Sequence, residues 1–173
     1  MLYKFDGKQP AVGKDTYVIE LARVIGDVTI GDNCYIGHGG ILRGDYGRIE
    51  KGSGTAIEEG VMVHVPPDDL CRIGKKVTVG HGAIVHCASV GDFAVIGMGA
   101  VVSIFAAIGA GAIVAEGSIV AIRQSVEENV MVAGNPARFI REVTPVDEKM
   151  WGRAKQVYVD LARKYLNLGM QVI

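Results

Sequence analysis

The 173-residue sequence predicts a single-stranded parallel β-solenoid followed by one α-helix. Two observations carry that expectation. Aliphatic residues recur at a strict spacing of six, first as Val12, Val18, Val24, Ile30, Ile36 and Leu42. They resume as Val90, Ile96, Val102, Ile108, Val114, Val120, Val126 and Val132. A period of six matches neither an amphipathic helix nor an alternating strand, but it suits a coil whose hexapeptides each form one short side and a corner. The second observation is glycine, 24 of 173 residues, about twice the usual share. It often stands directly after the aliphatic, as at Gly31, Gly37, Gly74, Gly80, Gly91, Gly97 and Gly109. Gly or Asn/Asp is expected to help the chain take unusual dihedrals nearby.

Three such sides would close a coil of about 18 residues, a number that comes from a family resemblance and not from periodicity alone, and successive coils would stack at the strand spacing of about 4.8 Å. Ile57, Val63, Ile73, Val79 and Val85 bridge the two regular runs, with three slips of register. Leu42 to Lys51 carries three extra residues, Val63 to Ile73 carries four, and Val85 to Val90 lacks one. Phe93 to Ala115 is free of charge and long enough to span a bilayer, but the repeat runs through it, so strands are expected. The tail changes period. Thr144, Pro145 and Asp147 read as an N-cap, a first-turn proline and an acidic first turn. Trp151, Ala154, Tyr158, Leu161 and Tyr165 then line one helical face, expected to lie along the solenoid. Residues 1–140 are thus read as the solenoid and 141–173 as a helix of the same domain.

A formal charge of −1 excludes a broad basic footprint for nucleic acid or an anionic membrane. Three cysteines imply no disulfide framework and fit a reducing cytoplasm. MLYKFDGKQP shows no signal-peptide core. Cys87 reads as a packed thiol. Gly97-Met98-Gly99 and Gly109-Ala110-Gly111 read as corners, since no strand–turn–helix context surrounds them. No Ser-His-Asp set is legible.

Three of the four histidines fall where the register slips. His64 follows Val63 and His86 follows Val85, three steps apart, so they belong to one column on neighbouring coils. Arg43 follows Leu42 and joins that column one coil earlier. His81 lies two after Val79, and His38 lies two after Ile36, two coils from it. Two stacked imidazoles can share a metal, and a third completes a His₃ set with an open position, the catalytic zinc arrangement. Spacing leaves open whether His81 comes from the same chain or a neighbour.

The repeat resembles the hexapeptide-repeat family, whose fold is a left-handed parallel β-helix. Within it, Arg43-Gly44-Asp45, Gly60-Val61-Met62-Val63-His64, His81-Gly82-Ala83-Ile84-Val85-His86 and Gly134-Asn135-Pro136-Ala137-Arg138 are similar to motifs of the gamma-class carbonic anhydrases. That resemblance implies a homotrimer with a metal between subunits, His64 and His86 coming from one chain and His81 from the next. It implies Zn²⁺, with Fe²⁺ or Co²⁺ as further possibilities, and hydration of CO₂ to bicarbonate through a zinc-bound hydroxide. It also implies an inter-subunit ion pair between Arg43 and Glu59, beside Asp45. The family's Asn-x-Gln-Asp segment reads Ala56-Ile57-Glu58-Glu59 here. Glu58 therefore takes the water-orienting place, Glu59 keeps the acidic charge, and Asp68 and Asp69 are the acidic groups of the short following loop. Two rivals share the scaffold: an acyltransferase or acyl-CoA thioesterase, and a non-enzymatic assembly module with a structural metal.

Overall fold

The computed structural model describes residues 1–86 and 89–171. The sequence-predicted packed thiol at Cys87 lies outside these residues. The chain winds into a parallel β-solenoid of about seven turns, matching the left-handed β-helix of hexapeptide-repeat proteins. Every hexapeptide aliphatic lands on a rung. Val18 pairs with Ile36, Ile36 with Ile57, Ile57 with Val79, Val79 with Ile96, and Ile96 with Val114. These side chains point inward and form one continuous core along the axis. Phe93 to Ala115 contains the short strands Val95–Ile96, Val101–Val102, Ala107–Ile108 and Ile113–Val114. No helix among the described residues is long and apolar enough to cross a membrane.

Asp15, Asn33, Asn129, Gly54 and Gly111 take the left-handed conformation as the sequence leads one to expect, but the glycine directly after the aliphatic is not where it falls. The left-handed backbone conformation falls three residues after the inward aliphatic: at Asn33 (φ 55°), Lys76 (φ 49°), Phe93 (φ 63°) and Gly111 (φ 65°) along one edge. The glycines directly after the aliphatic have a different reason to be there. A Cβ at Gly97 would sit 2.5 Å from the Glu116 nitrogen, and one at Gly91 2.5 Å from the Ala110 nitrogen, both on the next coil. Those glycines are required by close stacking of backbones, not by dihedral freedom.

The register slips are absorbed where counting placed them. In Ile41–Lys51, Arg43 pairs with Ile25 and Gly44 with Gly26 before a bulge, after which Ile49 pairs with Val28 and Lys51 with Ile30. Beyond the Pro66–Asp69 loop, Ile73 returns to register against Lys51. Lys51 fills an inward aliphatic slot, fully buried, and its Nζ donates to the Thr55 carbonyl at 3.0 Å.

Two elements had no counterpart in the hexapeptide pattern. Leu2–Tyr3 extends the sheet against Val24 and Ile25. Arg138–Glu142 turns back antiparallel on Val130–Ala133, so the helix starts later than residue 141. It runs Pro145–Leu168. Thr144 caps it, its hydroxyl accepting from the Asp147 amide while the Asp147 carboxylate accepts from the Thr144 amide. Arg141 clamps Asp147 with contacts of 2.6 and 3.0 Å, which holds that carboxyl well below the usual range. The helix lies along the side that carries Tyr17, Tyr35 and Ala56 on its outer surface. Tyr165 stacks on Tyr17 (centroids 4.8 Å, planes 7° apart), and Tyr158 meets Tyr35 at 5.2 Å.

Candidate metal centre

Parallel rungs place residues of equal phase in contact, so the site is built column by column. Arg43, His64 and His86 occupy successive coils as direct register partners. The His64 and His86 rings stack, centroids 5.1 Å apart and planes 17° apart. This is the alignment that counting across the four-residue insertion requires. Burial, then the positive charges of Arg43 and His86, hold the His64 imidazole below its ordinary pKa, with Asp45 opposing. His64 is therefore neutral at pH 7, the state in which imidazole binds a metal. Arg43 Nη1 lies 2.7 Å from Asp45 Oδ2, and Asp45 Oδ1 stands 3.7 Å from His64 Nε2. Within one chain Arg43 thus pairs with Asp45 rather than Glu59.

The second column is His38, Glu59 and His81, each two residues after its inward aliphatic. Glu59 lies between the two histidines. Its Oε2 is 2.8 Å from His81 Nδ1 and its Oε1 is 3.8 Å from His38 Nδ1. The Tyr35 hydroxyl donates to Glu59 Oε1 at 2.6 Å. Burial works to raise the Glu59 carboxyl, but the Tyr35 hydrogen bond and the adjacent imidazoles outweigh it and the net shift is downward. The same contact, after burial, pushes the Tyr35 phenol up.

Glu58 faces the other nitrogen, 3.1 Å from His81 Nε2, and is 6% exposed at its side chain. It accepts the His81 amide at 3.2 Å and a hydrogen bond from the Tyr158 hydroxyl of the helix. Burial raises its pKa, against the partial relief given by His81, Tyr158 and that amide. His81 itself is half exposed, at 47%. Asp68 and Asp69 sit in the short loop after His64. Asp69 Oδ1 accepts the Leu70 amide at 2.7 Å, and Asp68 has a left-handed backbone (φ 58°).

Two features went unread in the sequence. The family resemblance pairs Glu59 with Arg43; its place between His38 and His81 went unread, though the same phase count that paired His64 with His86 would have found it. Tyr158 was read as packing alone; its hydroxyl reaches Glu58 from the predicted buried face of the helix.

The donor set fits a divalent metal. His64 and His86 offer stacked imidazoles, and the Glu59 carboxylate on His81 Nδ1 is the usual outer-shell arrangement of a metal-binding histidine. His81 Nε2 faces Glu58 at 3.1 Å and would reach an ion only on turning from that carboxylate. Among the described residues of one chain, no three His, Cys, Asp or Glu side chains converge as a metal cluster.

No family model matches the sequence. Gamma carbonic anhydrase 2 of Arabidopsis thaliana, a mitochondrial protein, is 38% identical over 162 residues, which are 90% of this chain and 58% of that protein. The chain therefore spans little more than half of that relative. The carnitine operon protein CaiE of Shigella flexneri is 39% identical over 160 residues, 92% of this chain and 81% of CaiE. A hexapeptide transferase family protein from Anaplasma phagocytophilum superposes with a TM-score of 0.90 at 36% identity, over 95% of this chain and 97% of its own. With a solenoid of hexapeptides and these relatives, the chain belongs to the hexapeptide-repeat family, and within it is similar to the gamma carbonic anhydrases and CaiE.

Proposed function

We propose that the chain is a metal-dependent gamma-carbonic-anhydrase-type enzyme that interconverts CO₂ and bicarbonate, working as a homotrimer with Zn²⁺ between subunits. The stacked, register-matched His64–His86 pair is the observation that carries this reading. His64 and His86 hold the metal from one chain, and His81 of a neighbouring copy completes the set. When bound, such a cation acidifies water and supplies a nucleophile at neutral pH.

The chain's own residues do the rest. Glu59 accepts a hydrogen bond from His81 Nδ1–H and so favours the tautomer whose Nε2 can bind a metal once it turns from Glu58. Glu58, fixed by Tyr158 and the His81 amide, orients a water by accepting its hydrogen bond. Arg43 balances Asp45 beside the His64–His86 pair. Fe²⁺ or Co²⁺ suits the same imidazole set. The buried, unbridged Cys34 thiol accords with a reducing compartment such as the cytoplasm.

Metal analysis of the purified protein with a CO₂ hydration assay tests the reading. Stoichiometric metal, and activity that a chelator removes and Zn²⁺ restores, is the expected result. In mixed trimers, His81→Ala chains are expected to disable sites completed by intact His64 and His86. Unchanged activity in metal-free protein sinks the proposal. A second reading, acyl transfer or acyl-CoA hydrolysis, is favoured by the likeness to the Anaplasma transferase-family protein. Acyl-CoA turnover that survives His86→Ala would select it. Saturated metal with no turnover of CO₂ or acyl-CoA would select the structural-metal module instead.

A further inference from the structure

One side chain on the buried face of the helix breaks the apolar pattern. Lys155 lies a turn from both Trp151 and Tyr158 and is 7% exposed. Its Nζ sits 5.7 Å over the Trp151 ring. Among the described residues no carboxylate or carbonyl accepts a hydrogen bond from it, and burial lowers its pKa to about 8. Its Nζ is not sealed off, since Thr78 Oγ1 is the only fully enclosed unpaired side-chain polar atom among the described residues. The ammonium opens toward the adjoining cavity, where a partly desolvated charge is costly without a partner.

Lys155 borders a cavity of about 280 Å³ between the first half of the helix and the solenoid. Phe93, Val95, Ile113 and Trp151 give it apolar walls. Asp147, also on its lining, is already held by Arg141 and Thr144. Glu148 also borders the cavity but is exposed to solvent. Lys155 is therefore the buried, unspent charge of a small, largely apolar pocket, and a buried charge of that kind selects a ligand of opposite charge.

Phe93 adds an independent sign. It stands at a corner with φ 63°, while the same edge elsewhere carries Asp15, Asn33, Gly54, Lys76, Gly111 and Asn129. A bulky aromatic in this region is strained, and such strain concentrates at binding sites. Its ring forms one wall of the cavity.

We propose that this cavity binds a small apolar monocarboxylate, with its carboxylate facing Lys155 Nζ and its hydrocarbon body between Phe93 and Trp151. The ligand supplies the missing acceptor and fills the apolar space together. This assignment is independent of the histidine site.

Trp151 is the chain's single tryptophan, so its fluorescence reports on the cavity directly. The test titrates the full-length protein with hexanoate, hexanol, hexylamine and bicarbonate. A saturable Trp151 response to hexanoate is expected, at least about tenfold weaker for the neutral and cationic analogues. Bicarbonate, which lacks the apolar body, is expected to leave the signal unchanged. Lys155→Met keeps the apolar packing and is expected to weaken hexanoate at least about tenfold. Phe93→Gly relaxes the strained corner and removes a wall, so a more stable fold with weaker binding is expected. His86→Ala is expected to bind hexanoate as the parent does. No saturable response up to about 10 mM, a range that reaches beyond millimolar affinities, overturns the assignment. So does equal binding by Lys155→Met, equal response to bicarbonate, or loss of binding with His86→Ala, which would put the anion at the histidines.

Discussion

Lys155 sets one measurable property of the folded chain. Its pKa of about 8 lies below the ordinary lysine value because burial disfavours the ammonium. Below pH 8 both folded and unfolded chains carry this proton, and the burial penalty is fully present. Between about pH 8 and 10.5 the unfolded chain binds more protons than the folded one, so stability rises with pH through that window. Lys76 and Glu148 line the same region and Asp147 is tied to Arg141. Lys155→Met is expected to stabilise the protein by about 2 kcal/mol at pH 7 and to flatten the rise, checked by urea unfolding at both ends of the window. The residue scale is also where the reading of the sequence was least complete. That Lys155 falls on the buried face follows from its spacing to Trp151 and Tyr158. That no acceptor meets it depends on which atoms the solenoid presents opposite, and spacing along one helix carries no such information.

Elements rest on two local rules, each open to test. The Thr144–Asp147 capping box starts the helix where the sequence signals it, because the first-turn amides need acceptors that only side chains provide. Thr144→Ala is expected to cost about 1 kcal/mol in chemical denaturation, with the strand content unchanged. At the corners, Gly97→Ala sets a methyl 2.5 Å from the backbone of the next coil. Overpacking of that kind costs about 1–3 kcal/mol, so a lowered melting temperature is expected. Gly152→Ala, with open space around its Cβ on the helix, is expected to gain up to about 1 kcal/mol. Glycine spacing was visible in the sequence; its cause was not. The close approach belongs to the following coil, which lies a full turn further along the chain.

At the scale of the whole molecule, a one-dimensional stack converts register into chemistry. Each coil contacts only its neighbours, so an insertion displaces the phase of everything after it unless the chain loops out. The four residues added between Val63 and Ile73 loop out as Pro66–Asp69, and His86 remains over His64. Deleting Pro66–Asp69 tests whether that loop matters only as a spacer. Retained metal binding with altered CO₂ hydration would give Asp68 or Asp69 a part in proton transfer, and unchanged activity would leave the loop structural.

The solenoid, its core positions and the Arg43–His64–His86 column were legible from a period of six, because in a stack equal phase means spatial contact. The helix start was legible from its capping residues Thr144, Pro145 and Asp147. The antiparallel return of Arg138–Glu142, the Glu58–Tyr158 hydrogen bond and the cavity at Lys155 were decided only by the folded chain. Each joins the solenoid to a segment outside its repeat, and periodicity is silent about how two unlike elements dock.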